Sequence, residues 1–136
     1  MDKATLELAG NWLLKAQRDL ATARKLAAGP EPYLDTAIYH CQQAAEKAIK
    51  GLLVFYGQRF EKLHNVQLLV TLAQPFAPEL GTLLEAAERL TPYATAFRYP
   101  GVELEPDQIE FDLALEAADK IYASVLSVLP KQVHPL

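Results

Sequence analysis

Proline placement constrains this chain more than any other feature. Prolines stand at positions 30, 32, 75, 78, 92, 100, 106, 130 and 135. A proline inside a helix removes a hydrogen bond and costs about 3 kcal/mol. Long helices are therefore confined to the proline-free runs 1–29, 33–74, 79–91 and 107–129. The first run predicts a helix from Ala4 to Ala27, with Trp12, Leu13, Ala16, Leu20, Ala23 and Ala27 at helical spacing. Gly29 and Pro30 then stop it. A second helix begins near Pro32, a residue suited to a first turn, and ends at Gly57.

The stretch GQRFEKLHN carries no apolar stripe and breaks the helical run. Asn65 can cap a short third helix through Leu72. Pro75 and Pro78 mark the next turn, and a fourth helix is predicted over Glu79–Leu90. TPYATAFRYPGVELEP is a connector. Pro106 fits the first turn of a last helix reaching Leu129. That helix carries one stripe of Ile109, Leu113, Ala117, Ile121 and Val125 and a second of Phe111, Leu115, Ala118 and Tyr122. Two apolar faces imply burial on two sides, one of them against another subunit. No segment alternates like a strand, and none repeats at solenoid length. The predicted fold is all-α: an up-and-down bundle of three long and two shorter helices in a single domain over residues 1–129, followed by a tail at 130–136.

A 51% hydrophobic content argues against disorder. No apolar run reaches the roughly 20 residues of a membrane span, and MDKATLELAG lacks the pattern of a signal peptide. Cys41 is the only cysteine, so no internal disulfide forms, and a cytoplasmic protein is expected. Net charge is −4, which disfavours a general nucleic-acid coat. The charge is uneven. Residues 1–100 hold 11 basic and 10 acidic residues, a balance of +1, and residues 101–136 hold 2 and 7, a balance of −5. A local anion pocket in the first hundred residues fits this distribution.

The second helix is the most informative element. With about 100° per residue, Cys41, Ala45, Ala48, Ile49, Leu52 and Tyr56 share one arc. His40, Gln43, Lys47 and Lys50 share another arc of about 80° away from it. That polar stripe reads either as a solvated face or as the wall of a phosphate or partner site. Ala44, Ala45 and Ala48 are thin enough for a neighbouring helix to approach closely.

NWLLKAQRDLATA, YHCQQAAEKAIKGLL, LHNVQLLV and FRYP, in this order, resemble the HEPN domain family over about residues 5–128. The resemblance implies an up-and-down bundle that forms a dimer or larger homo-oligomer. It also implies a minimal nucleotidyltransferase as partner, in a toxin–antitoxin-like pair, and a nucleotide or RNA as ligand. No cofactor is implied. Many family members are metal-independent ribonucleases with an R-x4-6-H motif near the start of the last long helix. Here Arg98 would supply the arginine, but Glu103, Leu104 and Glu105 stand where the histidine should be. An R-x4-H match exists at Arg59 and His64, between the second and third helices.

Histidine suits proton transfer from a 2′-hydroxyl, and arginine suits charge on a phosphorane. Arg59 and His64 are therefore the catalytic candidates of a ribonuclease reading. His64 has an alternative role in fixing the turn before the third helix through a carboxylate or the backbone. Arg98 has two readings as well. It pairs with a carboxylate such as Glu46 or Asp112, or it binds phosphate beside Lys47 with Tyr93 or Tyr99 as a stacking surface. The binding candidates are thus Lys47, Lys50, His64, Arg98, Tyr93 and Tyr99. A purely structural partner subunit is the third reading. No glycine-rich phosphate loop is present, His40, His64 and His134 lack metal-site spacing, and no metal site is expected.

Overall fold

The computed structural model describes all 136 residues. Five α-helices follow one another: α1 (Lys3–Ala27), α2 (Leu34–Phe55), α3 (Val66–Ala73), α4 (Leu84–Leu90) and α5 (Gln108–Val128). There is no strand. Local chemistry explains the boundaries. Asp2 caps α1 by accepting from the Thr5 N–H at 2.7 Å, and Asn65 caps α3 by accepting from the Leu68 N–H at 3.0 Å. Both satisfy donors that a helix start leaves unpaired. Gly57 (φ 68°) ends α2. Its N–H reaches Val54 O, and the Gln58 N–H reaches Leu53 O. This is the Schellman pattern, which calls for a left-handed residue at that position.

Three boundaries differ from the sequence reading: α2 begins at Leu34 with Tyr33 in the cap position, so Pro32 lies outside its first turn. Residues Pro78–Leu83 wind as a 3-10 helix, and α4 begins only at Leu84. The tighter coil brings Gly81 against Gln74, whose Nε2 occupies the space a Cβ would need. The last helix starts after Pro106, because the Asp107 side chain accepts from the Glu110 N–H at 2.8 Å and becomes the cap. Residues 130–136 are docked on α1. Val133 is buried in a 3-10 turn, and its backbone lies against Gly10.

Helix α2 is the hub. It packs against α1, α3 and α5 and touches the Thr91–Ala94 turn. Ala44, Ala45, Ala48 and Gly51 are buried. A Cβ on Gly51 would stand 3.3 Å from the Ala9 carbonyl, so the α1 and α2 backbones nearly touch. Being surrounded decides against a fully solvated stripe: Lys50 is only 4% exposed, His40, Gln43 and Lys47 are half-buried, and Gln42 and Glu46 are buried beside them. On α5, Phe111, Ala114, Ala117, Ala118, Ile121 and Val125 face the core. Ile109 and Leu113, the first two members of one predicted stripe, are left exposed.

Candidate functional site

The polar residues of α2 organise two carboxylates. Asp19 of α1 is buried, and its Oδ1 lies 2.8 Å from His40 Nδ1 while its Oδ2 accepts from Lys47 Nζ at 2.7 Å. Glu46 is also buried. Its Oε1 accepts from Gln42 at 3.0 Å, and its Oε2 meets Lys50 Nζ at 3.0 Å and His64 Nδ1 at 3.3 Å. Gln43 ties in by donating to Gln42 Oε1 at 2.7 Å. A charge taken out of water needs such partners. A carboxylate accepts from an Nδ1–H at each imidazole, and Nε2 of each ring has no hydrogen-bond partner in the chain.

Lys50 is therefore a structural cation. Besides Glu46, its ammonium lies 5.6 Å from the Trp12 ring centroid and 5.2 Å from that of Phe60. Lys47 is committed to Asp19. The GQRFEKLHN segment leaves Arg59 exposed, with no hydrogen bond or ion pair, and it does not line the cavity that holds His64 and Arg98.

The arginine that does share a cavity with His64 is Arg98. Its guanidinium forms no ion pair, so neither Glu46 nor Asp112 neutralises it, contrary to the ion-pair reading. Instead it lies 4.3 Å from the Tyr39 ring centroid and donates to Ala94 O at 3.2 Å. Tyr39, not Tyr93 or Tyr99, is the principal aromatic plate. Tyr93 is buried, with its hydroxyl donating to Glu110 at 2.6 Å. Burial and that bond push the phenol well above its usual range. Tyr99 is 69% exposed, and its ring centroid is 5.8 Å from the Arg98 guanidinium.

Two cavities share Tyr39 and Arg98 as a common wall. One, of about 330 Å³, adds Gln43, Glu46, His64, Ala94 and Thr95. The other, of about 280 Å³, adds Asp35, Thr36, His40 and Phe97. Phe97 has φ 66°, a left-handed conformation unusual for a bulky residue. Such strain is kept where surrounding structure enforces it. Here the Phe97 ring stacks on Tyr93 at 6.1 Å, and the bend sets Arg98 over Tyr39.

The HEPN domain model matches residues 9–128. The chain belongs to the HEPN family. Two solved structures are similar to it. The crystal structure of ST0689, an archaeal HEPN homologue, is 31% identical with a TM-score of 0.69, covering 88% of this chain and 95% of the other. The crystal structure of TT1696 from Thermus thermophilus is also 31% identical, with a TM-score of 0.75, covering 90% and 99%. No curated protein matches the chain.

Within this HEPN domain, three site features escaped the sequence. Asp19 falls in the apolar stripe of α1 between Ala16 and Ala23, so a charge at that spacing was a usable signal. Tyr39 and Asp35 carried no such mark, because their importance depends on where the connector returns. Cys41 takes no part. It is buried, and burial followed by the nearby Asp119 charge pushes its thiol to about 12. No cluster of three or more His, Cys, Asp or Glu is placed to hold a metal ion. No helix is long and apolar enough to cross a membrane.

Proposed function

We propose that this HEPN protein binds a phosphate-bearing ligand, a nucleotide or RNA, at Arg98. The observation that carries the reading is a guanidinium with no carboxylate partner, stacked on Tyr39 and walling two cavities. Arginine in this state offers several N–H donors in a planar fork suited to phosphate. His64 adds a ring whose outer nitrogen is free, and the exposed Tyr99 offers a face for a base. Lys47 and Lys50 support the site indirectly by charge-compensating Asp19 and Glu46. A nucleotide should raise the melting temperature of the native chain, since a ligand of the folded state stabilises it. Arg98→Ala should abolish that rise with little change in the unliganded melting temperature. An unchanged ligand response in Arg98→Ala would exclude the site.

A second reading is metal-independent ribonuclease activity. The Glu46–His64 contact, with Arg98 across the same cavity, favours it. In this version His64 Nε2 takes the 2′-hydroxyl proton as the 2′-oxygen bonds to phosphorus, Arg98, in place of Arg59, steadies the phosphorane charge, and the 5′-oxygen leaves as its P–O bond breaks, taking a proton back from the His64 imidazolium or from water. Cleavage of RNA in the presence of EDTA, lost in His64→Ala, would establish it. The family resemblance further suggests a homo-oligomer and a minimal nucleotidyltransferase partner. The exposed Ile109 and Leu113 on α5 are compatible with such a protein contact.

A further inference from the structure

The two cavities at Arg98 differ in chemistry, and the difference assigns an orientation to the ligand. In the His64 cavity the only carboxylate is Glu46, and its oxygens already take Gln42, Lys50 and His64. An anion there meets the Arg98 guanidinium and the second N–H of the Gln43 amide, whose first donates to Gln42. In the other cavity Asp35 is unsaturated. Its Oδ1 accepts from the Thr36 N–H at 2.8 Å and from the Thr36 hydroxyl at 3.5 Å, and its Oδ2 is engaged by nothing in the chain. That oxygen repels phosphate and attracts hydroxyl donors. The same cavity has aromatic walls, Tyr39 and Phe97, and the outer nitrogen of His40, whose Nδ1 is held by Asp19.

We propose that the groove divides a ribonucleoside phosphate across Arg98: phosphate in the His64 cavity, nucleoside between Tyr39 and Phe97, and the ribose 2′-hydroxyl donating to Asp35. The proposal rests on Arg98 as the anion ligand and adds the substrate class and a residue that sets it. His40 and Glu46 lie six residues apart on α2, about 9 Å along the axis at 1.5 Å per residue, which leaves room for a sugar between base and phosphate. The strained Phe97 backbone is part of the device, because it places the ring in one cavity and hands Arg98 to both. A site built to accept from a hydroxyl discriminates strongly against the analogue lacking it.

The test is calorimetric titration with the four ribonucleoside 5′-monophosphates, their 2′-deoxy counterparts and inorganic phosphate. The native chain should bind at least one ribonucleotide tenfold or more tightly than its deoxy form. Asp35→Ala should reduce ribonucleotide affinity to the deoxy level and leave the deoxy affinity unchanged. Equal affinity for both sugars in the native chain, or an Asp35→Ala loss shared by both, would overturn the division while leaving Arg98 as an anion site. No binding of any probe would overturn both readings. Asp35→Asn, which keeps the acceptor to Thr36, repeats the test if the alanine variant fails to fold. A trinucleotide RNA separates the two sources of this chemistry. Tighter binding than the monophosphate, with the ribose preference retained, assigns the site to an RNA strand. Equal or weaker binding, with the same preference in the monophosphates, assigns it to free nucleotide.

Discussion

Glu46 holds Lys50 one turn along α2 at 3.0 Å, with both side chains 5% exposed. This pair is the centre of the AEKAIK element. It sits inside the bundle, roofed by Trp12 and Phe60, and not on a wet face. The partners are unequal, because Glu46 also holds Gln42 and His64. Glu46→Ala strands a buried ammonium and should cost about 3–5 kcal/mol. Lys50→Met leaves the carboxylate with two donors and should cost less. Urea denaturation of the two variants checks the order. Equal losses would mean that Lys50 reaches water in the variant.

Gly51→Ala tests the near-contact of α1 and α2. Alanine favours a helix over glycine by about 1 kcal/mol. The new Cβ would stand 3.2 Å from Trp12 Cβ, 3.2 Å from Leu13 Cδ2 and 3.3 Å from Ala9 O. The leucine tip can yield, but the other two atoms are on or next to the backbone. Overpacking of about 1–3 kcal/mol should win, giving a net loss in denaturant midpoint. A gain in stability would show that the helices separate freely.

The buried Cys41 thiol ties stability to alkaline pH. Its folded value is raised from 9.0 to about 12, chiefly by burial. Above pH 9 the unfolded chain releases a proton that the folded chain keeps, so stability is full below 9 and falls toward 12. The slope from this group is at most about 1.4 kcal/mol per pH unit. Cys41→Ala should flatten the fall without abolishing it, because Tyr93 and Tyr122 are also raised by burial. Thermal melts at several pH values read this directly. Native Cys41 should also resist thiol reagents at neutral pH.

Docking of the C-terminal residues on α1 contributes stability that can be measured. Val133 is 2% exposed and packs at Gly10. Val133→Ser should cost about 1.5–3 kcal/mol, the worth of burying such a side chain. Hydrogen exchange should quicken at the start of α1, including Gly10, more than in α3. No change in either would mean that residues 130–136 are free in solution.

Much of the fold is legible in the sequence alone. Prolines and Gly29 and Gly57 delimited α1 and α2, and Asn65 announced α3, because caps and breakers act within a few residues. The docked Val133 was not legible, since a short apolar residue between prolines carries no period. The site was read in part. Arg98 and His64 were named, and they line one cavity. Arg59 was drawn in by a spacing alone, and spacing does not report direction.

The sequence by itself determined a chain of long and short helices, because helix periodicity, capping and breaking are properties of neighbours along the backbone. Only the tertiary structure decided which face of α2 is wet, since that depends on the helices and loop that surround it. It alone decided that Lys50 is a buried counter-ion. It also placed Arg98 on Tyr39, 59 positions earlier in the chain. The burial of a charge and the meeting of distant side chains are set by packing in three dimensions, and no local pattern encodes them.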